Sequence, residues 1–292
     1  RYFLEKKRYQ ILSFSVRTYI SSLTYLALSE CTNLESLVYD NCNEDLPDTY
    51  IPLLSKLSKM KNLSISQYEE GQTRNLPYML AENSMPFLIS LSLSWCKNLD
   101  GDILNMILSN CPGLRDLEIN DIFQLCGGFE SIGNCSKLEQ LKLKCPLIQD
   151  KSFEYIGKGC HELKYLIVEC CFLLTNKAFE YICAGCPRLE HLCITDSHEI
   201  TDAIFEYLFK NKNLKFLGII HNQNITGIYF DDIPTYMINL KELLIWCQNL
   251  NKENIRKLRI KMPHLKVQYD ATNDENEQSY SDIDLEDTSL FN

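Results

Sequence analysis

Residues 186–208, CPRLEHLCITDSHEITDAIFEYL, contain a short pattern that recurs along this chain. An L-x-x-L-x-I motif begins at Leu189, and its alternating apolar residues point to one face of a short strand. The polar pair Thr201-Asp202 then marks a turn that can cap a helix. Phe205 and Leu208 follow three residues apart, as on one face of a helix. This stretch therefore predicts one strand–turn–helix unit.

The same motif, L-x-x-L-x-[LIV], begins again every 24 to 26 residues over most of the chain. Its first position is occupied by Leu88, Leu114, Leu138, Leu163, Leu189, Leu214 and Leu240, and Leu265 opens a truncated last copy. Upstream, Leu34 and Met60 begin two further copies. A match at Leu23 lies only 11 residues before Leu34, too close to hold a full unit. Seven starts in so narrow a range of spacing make an internal repeat the strongest signal in the sequence.

A single unit of this kind cannot bury its own apolar face, whereas stacked units bury a continuous core. The turn signal recurs at Gln149-Asp150, Thr175-Asn176 and Thr226-Gly227, each placed between a strand and a helical stretch. We therefore predict an α/β solenoid, with parallel strands on the inside of a curve and helices on its outside.

The 14 cysteines occur largely at two positions of the repeat. Cys111, Cys135, Cys160 and Cys186 stand three residues before the first Leu, and Cys31, Cys42, Cys96 and Cys171 stand eight residues after it. Asn222 and Ser197 take the second position in other units. We interpret these cysteines as reduced, buried thiols that act as small apolar groups, which favours the cytoplasm or the nucleus.

This pattern resembles the cysteine-containing leucine-rich repeats of F-box proteins and of the antagonist-of-mitotic-exit family, most clearly in residues 160–182 and 186–208. It covers roughly Leu34 to Leu265. The resemblance implies a right-handed leucine-rich-repeat solenoid, a horseshoe like that of ribonuclease inhibitor. In F-box proteins the solenoid captures a substrate, and a separate N-terminal F-box binds a Skp1-type adaptor of a cullin ubiquitin ligase. Residues 1–22 are too short for an F-box, so we expect one to precede Arg1.

We predict three regions: an irregular segment over 1–22, the solenoid over 23–269 and a disordered acidic tail over 270–292. The net charge is −10, but the tail holds eight acids and no Lys or Arg, which leaves 31 acids against 29 bases, or −2, for the rest. A nearly neutral body argues against a general nucleic-acid binder. No apolar run is long enough for a membrane helix. We expect a monomer without membrane or nucleic-acid contacts.

The sequence offers little support for catalysis. Its five His residues form no H-E-x-x-H motif, and neither a G-x-S-x-G elbow nor a phosphate-binding G-x-x-x-x-G-K-[ST] loop is present. Cys183 and Cys186 form a lone C-x-x-C, but zinc sites of this kind need a second pair, and Cys186 is a repeat position. We therefore expect a binding protein rather than an enzyme, without metal or cofactor.

The repeat register also predicts which side chains line the concave face. In early units they are polar, as at Ser90, whereas several later ones are large and apolar. Because exposed apolar clusters often mark binding surfaces, we predict a partner site there. Its residues are Tyr165, Ile167, His191, Phe216, Ile220, Leu244 and Trp246. Two alternatives stay open: the chain's own tail covers these residues, or the register is shifted by one.

The function predicted from these observations is substrate recognition within an F-box-type SCF ubiquitin ligase. The alternative is an interaction scaffold outside that system, such as a regulator of the antagonist-of-mitotic-exit type. The tail mixes its acids with Ile283, Leu285, Leu290 and Phe291, and a further hypothesis is that it competes with the partner on the concave face.

Overall fold

A computed structural model of the protein describes residues 7–16, 22–40, 57–66 and 85–269. Within these residues, eleven strands form one sheet in chain order, and every neighbouring pair is parallel. The strands are β1 (Ser13–Val16), β2 (Ser36–Asp40), β3 (Asn62–Ser66), β4 (Ser90–Ser94), β5 (Asp116–Asn120), β6 (Gln140–Lys144), β7 (Tyr165–Glu169), β8 (His191–Thr195), β9 (Phe216–Ile220), β10 (Glu242–Trp246) and β11 (Lys266–Tyr269). The sheet stays open, as predicted for a solenoid.

Helices connect consecutive strands on the side of the sheet that carries the core. They are α1 (Ser22–Ser29), α2 (Gly101–Asn110), α3 (Asp150–Gly159), α4 (Asn176–Gly185), α5 (Ile204–Leu208), α6 (Ile233–Tyr236) and α7 (Lys252–Lys261), with a 3-10 turn at Ile132–Asn134. The side chains of Asp100, Thr175 and Asn251 cap α2, α4 and α7 by accepting a hydrogen bond from the first turn. Gln149, before α3, makes no such bond.

The core consists of columns of equivalent residues, one from each unit. The strand positions of the motif are buried, for example Leu166, Leu192 and Leu217 on neighbouring strands. A second column contains Phe129, Phe153, Phe179, Phe205 and Phe230, all fully buried. The ring centroids of Phe153 and Phe179 lie 6.0 Å apart. Each unit thus completes its core only against its neighbours.

Polar side chains in the turns bond one unit to the next. The Asp150 carboxylate accepts hydrogen bonds from the backbone N–H and the hydroxyl of Thr175. The Asn176 amide nitrogen donates to the Thr201 hydroxyl, and its amide oxygen accepts from the Thr201 N–H. The buried Asp202 accepts from the N–H and hydroxyl of Thr226 and from the N–H of Gly227. Turn residues that the sequence marked as possible helix caps therefore serve as links between units.

The cysteine thiols are small buried groups. Thirteen cysteines among the described residues are free thiols, and eleven of these are buried. At the first repeat position, burial raises the pKa of Cys111, Cys135 and Cys186 to about 12. At the second position, the Cys171 thiol donates to the Glu169 carbonyl at 3.2 Å. The side-chain amide of Asn222 donates to the equivalent backbone carbonyl of its own unit.

The N-terminal end of the solenoid differs from the prediction. Strand β1 pairs with β2 and lies within residues 1–22, where we expected an irregular segment. Ile11, Phe14 and Val16 have the spacing of the motif, but no leucine stands at its first two positions. The match at Leu23 lies in helix α1, not in a strand.

Because the match at Leu23 is not a strand, Cys31 takes a different repeat position from the one predicted. Cys31 follows α1 and stands three residues before Leu34, whose N–H it accepts at 2.9 Å, as Cys111 does for Leu114 at 3.2 Å. Cys31 therefore belongs to the first position, not the second. Cys42 and the predicted tail, 270–292, lie outside the described residues.

Candidate binding face

The side chains that point away from the core form the concave face, and they divide it into three zones. Strands β2 to β4 present mostly small hydroxyl groups: Ser36, Ser64, Ser66, Ser90, Ser92 and Ser94. Strands β5 and β6 present charged and amide groups, and strands β7 to β10 present mainly apolar and aromatic groups. On β2 and on β4 to β7, buried and accessible residues alternate in the predicted register. The parallel pairing continues that register through β8 to β10, so a shift by one residue does not occur.

The charged zone satisfies most of its charges internally. Glu118 accepts hydrogen bonds from Ser92 at 3.0 Å and from Asn120 at 2.7 Å. The Lys142 ammonium lies between two carboxylates, 3.6 Å from Glu118 and 3.8 Å from Glu169. These contacts leave little uncompensated positive charge on this part of the face.

Three aromatic rings stack across neighbouring strands at the border of the apolar zone. Tyr165, His191 and Phe216 are register partners on β7, β8 and β9. The Tyr165 and His191 ring centroids are 4.5 Å apart, and those of His191 and Phe216 are 5.9 Å apart, with nearly parallel planes in both pairs. Because equivalent side chains on adjacent parallel strands lie about 4.8 Å apart, the strand spacing itself permits this stacking.

Beside the rings lies a hydrophobic cluster that is separate from the main core. Cys193, Phe216, Ile220 and Leu244 are buried in it, and Ile167 and Trp246 pack against it while partly accessible. We call these residues, together with Tyr165 and His191, the concave patch. We predicted that these side chains face solvent, and for three of them this is wrong. The exposed fractions of Phe216, Ile220 and Leu244 are only 8%, 2% and 3%.

A glycine in the middle of the concave patch explains part of this burial. Gly218 is the register partner of Cys193 and Leu244. A Cβ atom at Gly218 would lie 2.9 Å from the Cys193 sulfur and 3.2 Å from the Phe216 ring. The missing side chain therefore creates a recess that these two groups fill.

Two polar groups lie within this apolar surrounding. The Trp246 Nε1–H is buried and has no hydrogen-bond acceptor among the described residues. Burial lowers the pKa of His191, while the neighbouring Glu190 opposes and Lys215 reinforces the shift. An unsatisfied buried donor is costly, and the Trp246 indole bears this cost within the concave patch.

All seven predicted site residues lie on four adjacent strands, β7 to β10, and the structure brings them together. The prediction omitted Cys193 and Gly218, which occupy the middle row of the concave patch. Their positions follow from the register. They matter because they are small, and the prediction considered only large apolar side chains.

The described residues contain no group of three His, Cys, Asp or Glu placed to bind a metal ion. The C-x-x-C thiols are buried, and burial raises the pKa of Cys183 and Cys186 to about 12. Buried neutral thiols are poor nucleophiles. No helix in the described ranges is long and apolar enough to span a membrane.

No protein-family model matches this sequence, and no curated protein matches it either. Several solved structures are similar to it. A chain of the yeast Rad7–Elc1 complex aligns at 16% identity over 89% of this chain and 74% of its own, with a TM-score of 0.57. The internalin InlF of Listeria monocytogenes aligns at 18% identity over 90% and 81%, with a TM-score of 0.56.

The fold is a leucine-rich-repeat solenoid. A TLR13–ssRNA13 complex gives a further match, at 15% identity and a TM-score of 0.56, covering 84% of this chain and 37% of TLR13. At these identities the likeness concerns the fold of the solenoid and not its ligand. Its binding properties therefore have to be argued from its own residues.

Proposed function

We propose that this solenoid is a non-catalytic protein-binding module that holds its partner at the concave patch. The observation that carries the proposal is the packing of Ile167, Trp246 and the stacked Tyr165 and His191 around a separate apolar cluster on the inner sheet face. Aromatic anchors next to a packed apolar centre are typical of the few residues that supply most binding energy in protein interfaces.

A protein partner suits this face better than RNA, although one similar structure is a TLR13–ssRNA13 complex. RNA binding relies on cations that neutralise phosphates. Here Lys142 is shared by Glu118 and Glu169, and Lys144 pairs with Asp121 at 3.1 Å. An RNA-binding face would need these cations to be available.

Within the class of protein-binding modules, we propose substrate recognition for an F-box-type SCF ubiquitin ligase in ubiquitin-dependent degradation. The resemblance of residues 160–182 and 186–208 to F-box leucine-rich repeats supports this. The mechanism would be proximity: the concave patch holds the substrate, and a Skp1-type adaptor, bound elsewhere, brings it to the ligase.

A scaffold outside that system, of the antagonist-of-mitotic-exit type, is the second candidate, since the same repeats resemble that family. Affinity purification of the full-length parent protein with quantitative mass spectrometry separates the two. The ligase proposal predicts recovery of a Skp1-type adaptor and a cullin. Recovery of other partners without either of them would contradict it and support the scaffold.

The same purification tests the concave patch when it is repeated with a double variant, Tyr165→Ala with Trp246→Ala. Both side chains are partly accessible, so the fold should tolerate their loss. The matched control is Ile260→Ala, which removes an apolar side chain that is 80% exposed on α7. Substrate-type partners should be lost only from the double variant, whereas an adaptor bound elsewhere should be retained by both.

A further inference from the structure

We infer that the chain's own acidic C-terminal segment, residues 270–292, is an internal ligand of the concave patch that competes with the partner. The consequence for the partner rests on the proposed function, but occupation of the concave patch by this segment does not. The reach of the segment and its apolar residues support this occupant.

The end of β11 places the segment close to the concave patch. Tyr269 is the last residue of β11, which pairs directly with β10. Four strand-to-strand steps separate β11 from β7, or about 19 Å at the usual spacing of about 4.8 Å. Ile283 lies 14 residues beyond Tyr269, which allows a reach of about 46 Å at about 3.3 Å per residue. Every member of the concave patch is therefore within range.

The apolar residues of the segment are grouped as a ligand for this surface would need. Ile283 and Leu285 alternate with acids, and Leu290-Phe291 form a second apolar pair five to six residues later. An extended peptide directs alternate side chains to the same face, so Ile283 and Leu285 can enter one apolar surface together.

Charge contributes little to this contact, because Glu169 and Glu242 also lie on β7 and β10 and the lysines nearby are already paired. The segment has eight acids and no Lys or Arg. The concave patch is bordered by Lys142 and Lys144 on β6 and by Lys266 on β11, whose side chain is 61% exposed. Since these lysines already pair with acids, the apolar contacts must supply most of the binding energy, and added salt should change the strength of the contact only slightly.

Attachment to the same chain makes such a weak contact effective. A tethered ligand acts at an effective concentration in the millimolar range, so even a weak intramolecular contact lowers the apparent affinity of a partner. Replacing Ile283, Leu285, Leu290 and Phe291 by serine in the full chain should raise partner affinity by about tenfold if the tethered segment occupies the concave patch most of the time.

The occupation itself is tested by photocrosslinking in the full chain, with Phe291→benzoylphenylalanine as the probe. We expect intramolecular crosslinks to peptides that contain β7 to β10, with a yield about fivefold lower in the Tyr165→Ala, Trp246→Ala background. The control is the same photoreactive residue at Ile260, which should not label these strands. Crosslinks from position 291 to the convex helices, or only between two chains, would overturn the inference.

The two proposals fail in different ways. Crosslinks to β7 to β10 in a protein that captures no partner would leave the internal ligand standing and remove the proposed function. Partner binding that depends on Tyr165 and Trp246, without such crosslinks and without any effect of the four serine substitutions, would remove only the internal ligand.

Discussion

The imidazole ring of His191 stacks on the phenol ring of Tyr165, with centroids 4.5 Å apart and planes inclined by 21°. The two residues are direct register partners on adjacent parallel strands, so backbone pairing fixes the distance between their rings. His191 also stacks on Phe216 on its other side. A titratable ring thus lies inside the aromatic row, which gives the concave patch a measurable pH response.

We predict that His191 titrates below its ordinary pKa of 6.5. Burial is the main cause, with Lys215 acting in the same direction and Glu190 and Glu242 opposing it. A depressed folded-state pKa stabilises the fold above pH 6.5, and this contribution is lost as the pH falls through the lower value. An NMR titration of the His191 ring measures it, and Tyr165→Ala should move the midpoint back towards 6.5. A midpoint at or above 6.5 in the unmodified chain would contradict the prediction.

Gly185→Ala should destabilise the solenoid by about 1–3 kcal/mol. A Cβ atom at Gly185 would lie 1.9 Å from the Gly157 carbonyl oxygen, so α3 and α4 would have to separate. Gly127→Ala is the matched control, because a Cβ atom there meets nothing within 4 Å. Urea denaturation measures both free energies of unfolding. Equal stability of the two variants would show that close helix contact at Gly185 is unimportant.

Asp202→Ala should cost about 3 kcal/mol, since it leaves three donors of the next unit without their charged acceptor. These donors are the N–H and hydroxyl of Thr226 and the N–H of Gly227. Asp150→Ala removes the equivalent exposed link to Thr175, and we expect a loss of about 1 kcal/mol. Thermal and urea unfolding of both variants test this order, and a larger loss in the Asp150 variant would refute it.

Alkylation of the native protein at neutral pH should modify Cys126 first and Cys170 more slowly. Cys126 is exposed and Cys170 is half-buried, whereas the other described cysteines are buried. Burial also raises the pKa of thiols such as Cys135 to about 12, which keeps them protonated. Mass spectrometry after iodoacetamide treatment gives the order, and denatured protein labelled at all 14 cysteines is the control. Labelling of Cys135 as fast as Cys126 would mean that the solenoid opens readily.

The strands of the solenoid could be located from sequence because each depends on a local pattern. Three apolar positions in a fixed order place Leu189, Leu192 and Ile194 on the core side of β8, and the next unit repeats the pattern. The first strand does not match the motif, because Ile11, Phe14 and Val16 have its spacing without its leucines. A helical Leu-x-x-Leu spacing also satisfies the motif, which explains the false match in helix α1.

The members of the candidate site were predictable, but their exposure was not. Alternation along each strand places Phe216, Ile220 and Leu244 on the concave face. Their burial depends on contacts between units that lie about 25 residues apart in sequence, including the recess above Gly218. Such contacts depend on how well side chains on neighbouring strands fit together in shape. The periodicity along one strand carries no information about that fit.

Binding of a protein at the concave patch can be measured as the affinity of one partner recovered with the parent protein. Calorimetry should give an affinity at least about tenfold weaker for the Tyr165→Ala, Trp246→Ala variant than for the unmodified chain. The Ile260→Ala control should bind like the unmodified chain. Equal affinity of the double variant, with its fold intact by circular dichroism, would contradict binding at the concave patch and place the binding surface elsewhere on the solenoid.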